Sequence, residues 1–276
     1  MSPPQDVDSY VELVLGTRRD RAVAQTPLAF MVDGDNATAR LIKEMLAEAS
    51  KYGVVIVRNV YGDWTTNQLA PWKEVMQEHA LDPEQQYANV SGKNATDSKM
   101  IIDAMDLLHE GVVKGFCLVS SDSDFTALAK RVRRAGLFVM GIGRSTTPLA
   151  FQRACHIFVA TENLAPGPTP AEPTASEKLV GQRPLAPAPI APPPRAAPRV
   201  ALDILRRAFD NADSGDGIVH LANLGVALYR LDPAFDPRTY GKAKLVELIE
   251  AFPEVFAVER PSGPGPGAVY VRKNTA

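Results

Sequence analysis

Leu28-Ala29-Phe30-Met31-Val32-Asp33 opens the reading of this chain: five apolar residues run without a break and stop at an acid. The pattern returns at Phe116-Cys117-Leu118-Val119, followed through Ser120-Ser121 by Asp122 and Asp124. Unbroken apolar runs, rather than alternating ones, suit strands covered on both faces. Further runs lie at 54–57, 87–90, 137–140 and 157–160. Between them come stripes at helical spacing: Leu41, Ile42, Met45, Leu46 and Ala49, then Ile101, Ala104, Met105 and Leu108, then Phe125, Leu128, Ala129 and Val132, with Gly136 placed as a C-cap. Thr147-Pro148 reads as an N-cap followed by proline at the first helical position. Alternation of strand and helix predicts a three-layer α/β domain on a mostly parallel sheet, with all strand carboxyl ends along one edge.

The composition fits that expectation. Of 276 residues, 45% are apolar and 22% charged, enough apolar content for a packed core. A net charge of -2 excludes a chain that is basic throughout, so any polyanion contact has to be local. The two cysteines, Cys117 and Cys155, sit in or beside apolar runs and read as packing residues of a reducing compartment. No stretch approaches the roughly 18 apolar residues of a membrane span, and the first residues lack the basic flank and apolar core of a signal. The expectation is a cytoplasmic protein with no membrane partner.

Four segments are expected. Residues 1–27 form a helical extension with Val11, Val14 and Leu15 on one side, and 28–164 form the α/β domain. In 165–198, eleven prolines interrupt small residues and periodicity is lost, so this is a semi-extended linker. Residues 199–276 form a small α+β domain. Helical stripes fall at Leu202, Leu205 and Phe209, at Leu221, Leu224 and Leu228, and over 242–251. A hairpin follows, with 255–258 and 269–271 flanking a Gly/Pro-rich turn, and together these are the outline of a winged helix.

In an open α/β sheet, ligands bind beyond the carboxyl ends of the strands. Asp33, Asp122 and Asp124 fall at such ends, and Asp97, one turn before Ile101, points its helix start at the same edge. Asn36 offers a neutral oxygen nearby. Taken singly, each acid also fits a cap: Ser120, Ser121 or Asp122 could cap the helix containing Phe125, a gain of roughly 0.3–1 kcal/mol for an acid in a first turn. Two carboxylates about 4 Å apart repel by about 4 kcal/mol at an effective dielectric of 20. Capping cannot offset that for a converging set, whereas protons or a divalent cation can. Hard cations such as Mg²⁺ or Mn²⁺ take this kind of oxygen shell. The reading is a metal-dependent enzyme acting on phosphates. Asp103, on the flank of its helix, either supports the site or is solvated; Asp35 reads as a turn residue.

The segments 31–36, Lys93-Asn94-Ala95-Thr96-Asp97 leading to Asp103, and 118–125 resemble the three motifs of the NYN domain, a PIN-like ribonuclease family, over residues 28–164. The resemblance implies a metal-dependent ribonuclease. It makes Asp33, Asp97, Asp122 and Asp124 the metal-holding acids, adds Asn36 to the catalytic set, and gives Asp103, Ser120 and Ser121 supporting places.

Candidates for RNA contact follow from local charge. Lys130 and Arg134 lie on the solvent face of the helix after Asp124; Arg144 leaves its strand at the same edge as Asp122; Lys93 and Asn94 precede Asp97. A solvated helix face accounts equally for the first pair. Trp64 could stack a base, while Trp72, spaced with Leu69, Met76 and His79, reads as core. In the small domain, 216–221, 235–245 and 268–272 resemble the LOTUS (OST-HTH) domain, which implies a module that binds RNA or a protein partner. Arg238, Tyr240, Lys242 and Lys244 are its candidate contacts, with Tyr240 also readable as a core residue. Two other functions fit parts of the chain. Asp33-Gly34-Asp35 supplies the Asp-x-Asp of a haloacid-dehalogenase-like phosphatase, although Ala37 stands where that family expects Thr or Val. A non-catalytic RNA-binding adaptor is the third.

Overall fold

The computed structural model describes residues 26–87, 95–164, 198–260 and 268–274. The expected N-terminal helix, Lys93 and Asn94, nearly all of the linker and the hairpin turn lie outside these residues.

Six strands form the first domain's sheet: β1 Pro27–Asp33, β2 Val54–Gly62, β3 Asp82–Gln85, β4 Gly115–Val119, β5 Phe138–Gly143 and β6 Ile157–Ala160. All pair in parallel, in the order β3-β2-β1-β4-β5-β6. The unbroken apolar runs are explained by where alternate residues go. Leu28, Phe30, Val32, Cys117, Val119, Phe138, Met140 and Ile142 enter one core, while Ala29, Met31, Phe116, Leu118 and Val139 enter another on the opposite face. A strand with a period of two and a core on each side has no polar face left.

The first core is closed by α1, Ile42–Ala49, through Ile42, Met45 and Ala49, and by α2, Ala70–His79, through Trp72. The second is closed by α3, Ala95–Glu110, through Met100 and Ala104, by α4, Thr126–Arg134, through Leu128, Ala129 and Val132, and by α5, Leu149–Ala154, through Phe151. Strand order runs outward from β1 through β2 to β3, and outward again from β4 through β5 to β6. Right-handed crossovers place the connecting helices of the two directions on opposite faces. The point where the direction reverses lies between β1 and β4, which is where such sheets bind ligands.

Residues 88–90 of the strand expected at 87–90 lie outside the described residues; β3 is Asp82-Pro83-Glu84-Gln85, where only β2 pairs with it, and an edge strand tolerates proline and polar side chains. Two local expectations are corrected. Pro148, not Thr147, occupies the N-cap of α5, and the Thr147 side chain caps nothing. The third helix of the small domain is shorter than expected, Leu245–Ile249. Gly136 does end α4 in the left-handed region, at φ 77°.

The small domain packs α6, Leu202–Ala212, against α7, Leu221–Leu231, and α8, Leu245–Ile249, joins the same core. Leu205, Phe209, Leu224, Leu228, Leu248 and Ile249 meet Val219, Phe256 and Val271 of a three-stranded sheet. That sheet is β7 Ile218–His220, β8 Phe256–Glu259 and β9 Tyr270–Lys273, antiparallel in the order β7-β9-β8. Helices followed by an antiparallel hairpin, with β7 added to it, make a winged helix. This domain covers the open edge of the large sheet: Phe158 N–H of β6 donates to Pro233 O at 2.8 Å, Tyr229 packs on the first core and Ala234 on the second.

Candidate metal centre

The loop after β1 turns sharply because Gly34 lets its backbone approach β2. A Cβ there would stand 2.8 Å from Tyr61 O, and Gly34 N–H donates to that same oxygen at 2.8 Å. Trp72 Nε1 of α2 donates to Gly34 O at 3.2 Å and fixes the loop from the other side. This settles Trp72 as a structural residue. Trp64 is likewise engaged, its Nε1 donating to Glu84 O at 3.2 Å.

Asp33, 1% exposed, is held by this loop and by β4. Its Oδ2 accepts from Asn36 Nδ2 at 2.7 Å and from Ser120 Oγ at 2.8 Å. Burial pushes its pKa above the ordinary value, and the bonds from Asn36 and Ser120 pull the other way. Ser120 Oγ also accepts from Asp122 N–H at 3.0 Å, so one hydroxyl joins the end of β1 to the turn after β4. Asp122 Oδ1 in turn accepts from Asp124 N–H at 2.9 Å and caps the short 3-10 turn Ser123–Phe125. The capping reading therefore holds for Asp122 without removing it from the acid group.

Asp97, in the first turn of α3 and 8% exposed, faces that turn. Carboxylate oxygens of Asp97, Asp122 and Asp124 all lie within 4.8 Å of one another. Asp33, expected to share the metal, is not among these three; its Oδ2 accepts from Asn36 and Ser120. Its charge is still felt. Asp97 has its pKa pushed up to about 6, first by burial and then by the negative charges of Asp33, Asp122, Asp124 and Asp35. Three hard oxygen donors this close, one of them resisting ionisation, fit a divalent cation. Asp35 is exposed and accepts from Thr96 Oγ1 at 3.1 Å, tying the β1 loop to α3.

Asp103 lies elsewhere. Both its oxygens accept from Lys99 Nζ at 2.6 Å, and Lys99 also pairs with Glu84 at 3.4 Å, so this network braces α3 against β3. Ser121 supports the next loop: its Oγ accepts from Arg144 N–H at 2.9 Å. Glu162, which sequence reasoning missed, accepts from Ser145 N–H at 2.9 Å and from Ser145 Oγ at 2.8 Å, fixing the same loop. Only its position just past a predicted strand end hinted at it.

Among the basic candidates, Lys130, Arg134 and Arg144 are exposed. Arg238 is a correction. Its guanidinium makes a fork to Asp236, 2.9 Å from Nε and 2.6 Å from Nη2 to Oδ2, and Nη1 donates to Glu48 Oε2 of α1 at 3.1 Å. It joins the two domains rather than facing a ligand. Tyr240 packs its ring on Phe235, centroids 5.7 Å apart, so the core reading holds. Lys244 is exposed and Lys242 half-buried. Cys117 and Cys155 are free and buried. No helix among the described residues is long and apolar enough to cross a membrane.

A parallel sheet with an acid trio at its switch point, joined to a winged helix, defines a nuclease-like class of protein with an RNA-binding type of module. A family model described as the NYN domain matches residues 27–162, and one described as the OST-HTH/LOTUS domain matches 194–267. The chain is an NYN-domain protein with a C-terminal OST-HTH/LOTUS domain. Among solved structures it is similar to a protein of unknown function from Vibrio parahaemolyticus, at 16% identity and a TM-score of 0.42, over 51% of this chain and 96% of that one. It is also similar to an uncharacterized protein from Nitrosomonas europaea, at 31% identity and a TM-score of 0.25, over 35% of this chain and 94% of that one. No curated protein matches it.

Proposed function

We propose that this protein is a Mg²⁺- or Mn²⁺-dependent endoribonuclease of the cytoplasm. Its nuclease domain spans 28–164, its linker 165–198, and its module that engages RNA or a protein partner 199–276. The observation that carries the reading is the convergence of Asp97, Asp122 and Asp124 oxygens within 4.8 Å at the carboxyl edge of the sheet. A divalent ion bound there supplies a water of lowered pKa and a positive charge beside the scissile phosphate. The remaining work falls to the chain. Asp97, Asp122 and Asp124 present the ligand oxygens, and one carboxylate of the site accepts a proton from the attacking water. Asp33 orients Asn36 through the 2.7 Å bond and keeps the β1 loop in register with β4. Arg144, Lys130 and Arg134 contact the RNA backbone, with Lys242 and Lys244 extending the track on the second domain. Lys93 and Asn94, just before Asp97 in the sequence, are assigned the same role.

The phosphatase reading loses its support at Asp35, its required acid, which is exposed and bonded to Thr96. The test uses the full chain, a 5′-labelled single-stranded RNA, and Mn²⁺, Mg²⁺ or EDTA. Internal cleavage is expected with either metal and none with EDTA. Asp122→Asn is expected to lower the rate at least about 10-fold, the least that loss of even an outer-shell partner of a metal ligand produces, with the circular dichroism unchanged. Undiminished cleavage by Asp122→Asn overturns the assignment. RNA retained in EDTA and never cut in metal replaces it with the adaptor.

A further inference from the structure

Asp97 reaches the acid trio from a different element than its two partners. Asp122 and Asp124 stand in one turn, where Ser120 Oγ accepts from Asp122 N–H and Asp122 Oδ1 accepts from Asp124 N–H. Asp97 rides on the first turn of α3. With carboxylate oxygens of the three within 4.8 Å, their charges push the start of α3 away from that turn. Whatever opposes the push has to act on α3 itself, close to Asp97.

Such a hold lies along the same helix. Lys99, two residues after Asp97, donates to both oxygens of Asp103 at 2.6 Å and reaches Glu84 of β3 at 3.4 Å. For the helix alone this is a poor arrangement, because a cation near a helix start with its acid four residues later runs against the macrodipole. It gains a purpose from what it ties together. Beside Asp103 stands Tyr61 of β2, fully buried in the second core that α3 covers. Its hydroxyl accepts from Asn59 Nδ2 at 3.2 Å and bonds the Asp103 carboxylate, and burial keeps its pKa raised, so it holds the proton it donates. Tyr61 pairs with Asp33 on one side and Glu84 on the other, and its carbonyl accepts from Gly34 N–H at 2.8 Å. One residue therefore touches both the loop after Asp33 and the helix that carries Asp97. A second tie, from Thr96 Oγ1 to Asp35 at 3.1 Å, is exposed, and the Asp35 charge adds to the crowd around Asp97.

We propose that Tyr61, Asp103 and Lys99 are positioning residues that brace the start of α3 against β2 and β3, so that Asp97 stands beside Asp122 and Asp124 before a cation arrives. The inference rests on reading the acid trio as a metal centre, and it adds residues that act on that centre only through Asp97. Groups that orient a metal ligand govern metal affinity by about 10–100-fold. Here the orienting group is a helix brace: a site assembled in advance against its own charge loses no binding energy to moving a helix.

The experiment uses the full chain and Mn²⁺, with no RNA present. Calorimetric titration gives the Mn²⁺ dissociation constant, and hydrogen exchange in EDTA reports on the helix start. Tyr61→Phe and Lys99→Met are each expected to weaken Mn²⁺ binding at least about 10-fold. Lys99→Arg, which keeps a cation able to bond both Asp103 oxygens, is expected to bind closer to the parent than Lys99→Met does. In EDTA, the amides of Lys99, Met100 and Ile101 are expected to exchange faster in Tyr61→Phe and Lys99→Met, while those of Met105, Leu107 and Leu108 keep the parent's protection. A lower Tm with an unchanged Mn²⁺ constant would make the network structural only and overturn the proposal. So would faster exchange without weaker binding, or parent-like values of both. In each of those cases the metal centre stands. A parent chain that takes up no Mn²⁺ overturns the metal reading itself, and the brace falls with it.

Discussion

At the scale of single residues, Asp97 shows how the site opposes the fold. Its carboxyl is buried among four other acids, and its pKa stands at about 6 against an ordinary 3.8. A raised acid pKa means that the native state holds the proton more tightly than the unfolded chain does. Stability from this group is therefore full below pH 3.8 and is lost as pH rises through about 6. Asp97→Asn removes the penalty. Without metal, the variant is expected to melt at a higher temperature than the parent at pH 7.5, and the gain is expected to vanish near pH 4. Calorimetry in EDTA at both pH values reads this; an unchanged or lower Tm at pH 7.5 refutes it. The variant is also expected to lose the Mn²⁺-induced rise in Tm that ligation gives the parent. That Asp97, Asp122 and Asp124 belong together was legible in the sequence, since each sits where a strand or helix must present it to one edge. That Asp33 accepts from Ser120, 87 positions away, was not, because no local pattern pairs the two.

Elements meet at the same point. Ser120 Oγ accepts from Asp122 N–H and donates to Asp33, so a single hydroxyl sets the distance between β1 and the turn that carries Asp122 and Asp124. Ser120→Ala leaves a buried carboxylate with one fewer donor and a backbone N–H without its acceptor. The expected cost is about 1–3 kcal/mol, read as a lower urea midpoint at unchanged slope. A midpoint equal to the parent's would show that the turn is held by other means. The layers were readable from the chain because strands buried on both sides have no polar face, and the acid-tipped runs fixed which ends mattered. β3 was not readable. Its Asp82-Pro83-Glu84-Gln85 has no apolar signal, and only its place at the sheet's edge, paired with β2 alone, makes it a strand.

Across the whole molecule, the small domain is docked rather than merely tethered. Asn163 Nδ2, next to the Glu162 that braces the Arg144 loop, donates to Thr239 Oγ1 at 3.0 Å. Arg238 bridges Asp236 of its own domain and Glu48 of the other, whose side chain is 7% exposed. No sequence pattern could pair Arg238 with an acid 190 positions away, so a cation-rich segment read as an RNA contact is in part a domain latch. Burying Glu48 is tolerable only while its charge is matched. Arg238→Glu sets a third acid against Glu48 and Asp236. The expected loss of docking energy is about 2 kcal/mol, below the about 3–5 kcal/mol of a fully buried pair, because Lys51 still bonds Glu48 at 2.7 Å. The parent is expected to unfold in one calorimetric transition and the variant in two, since each domain keeps its own core. Small-angle scattering is expected to show a larger radius of gyration for the variant. One transition and an unchanged radius would place the hold between the domains in Phe158–Pro233 and the packing of Tyr229, and the charge network would then be an accessory to it.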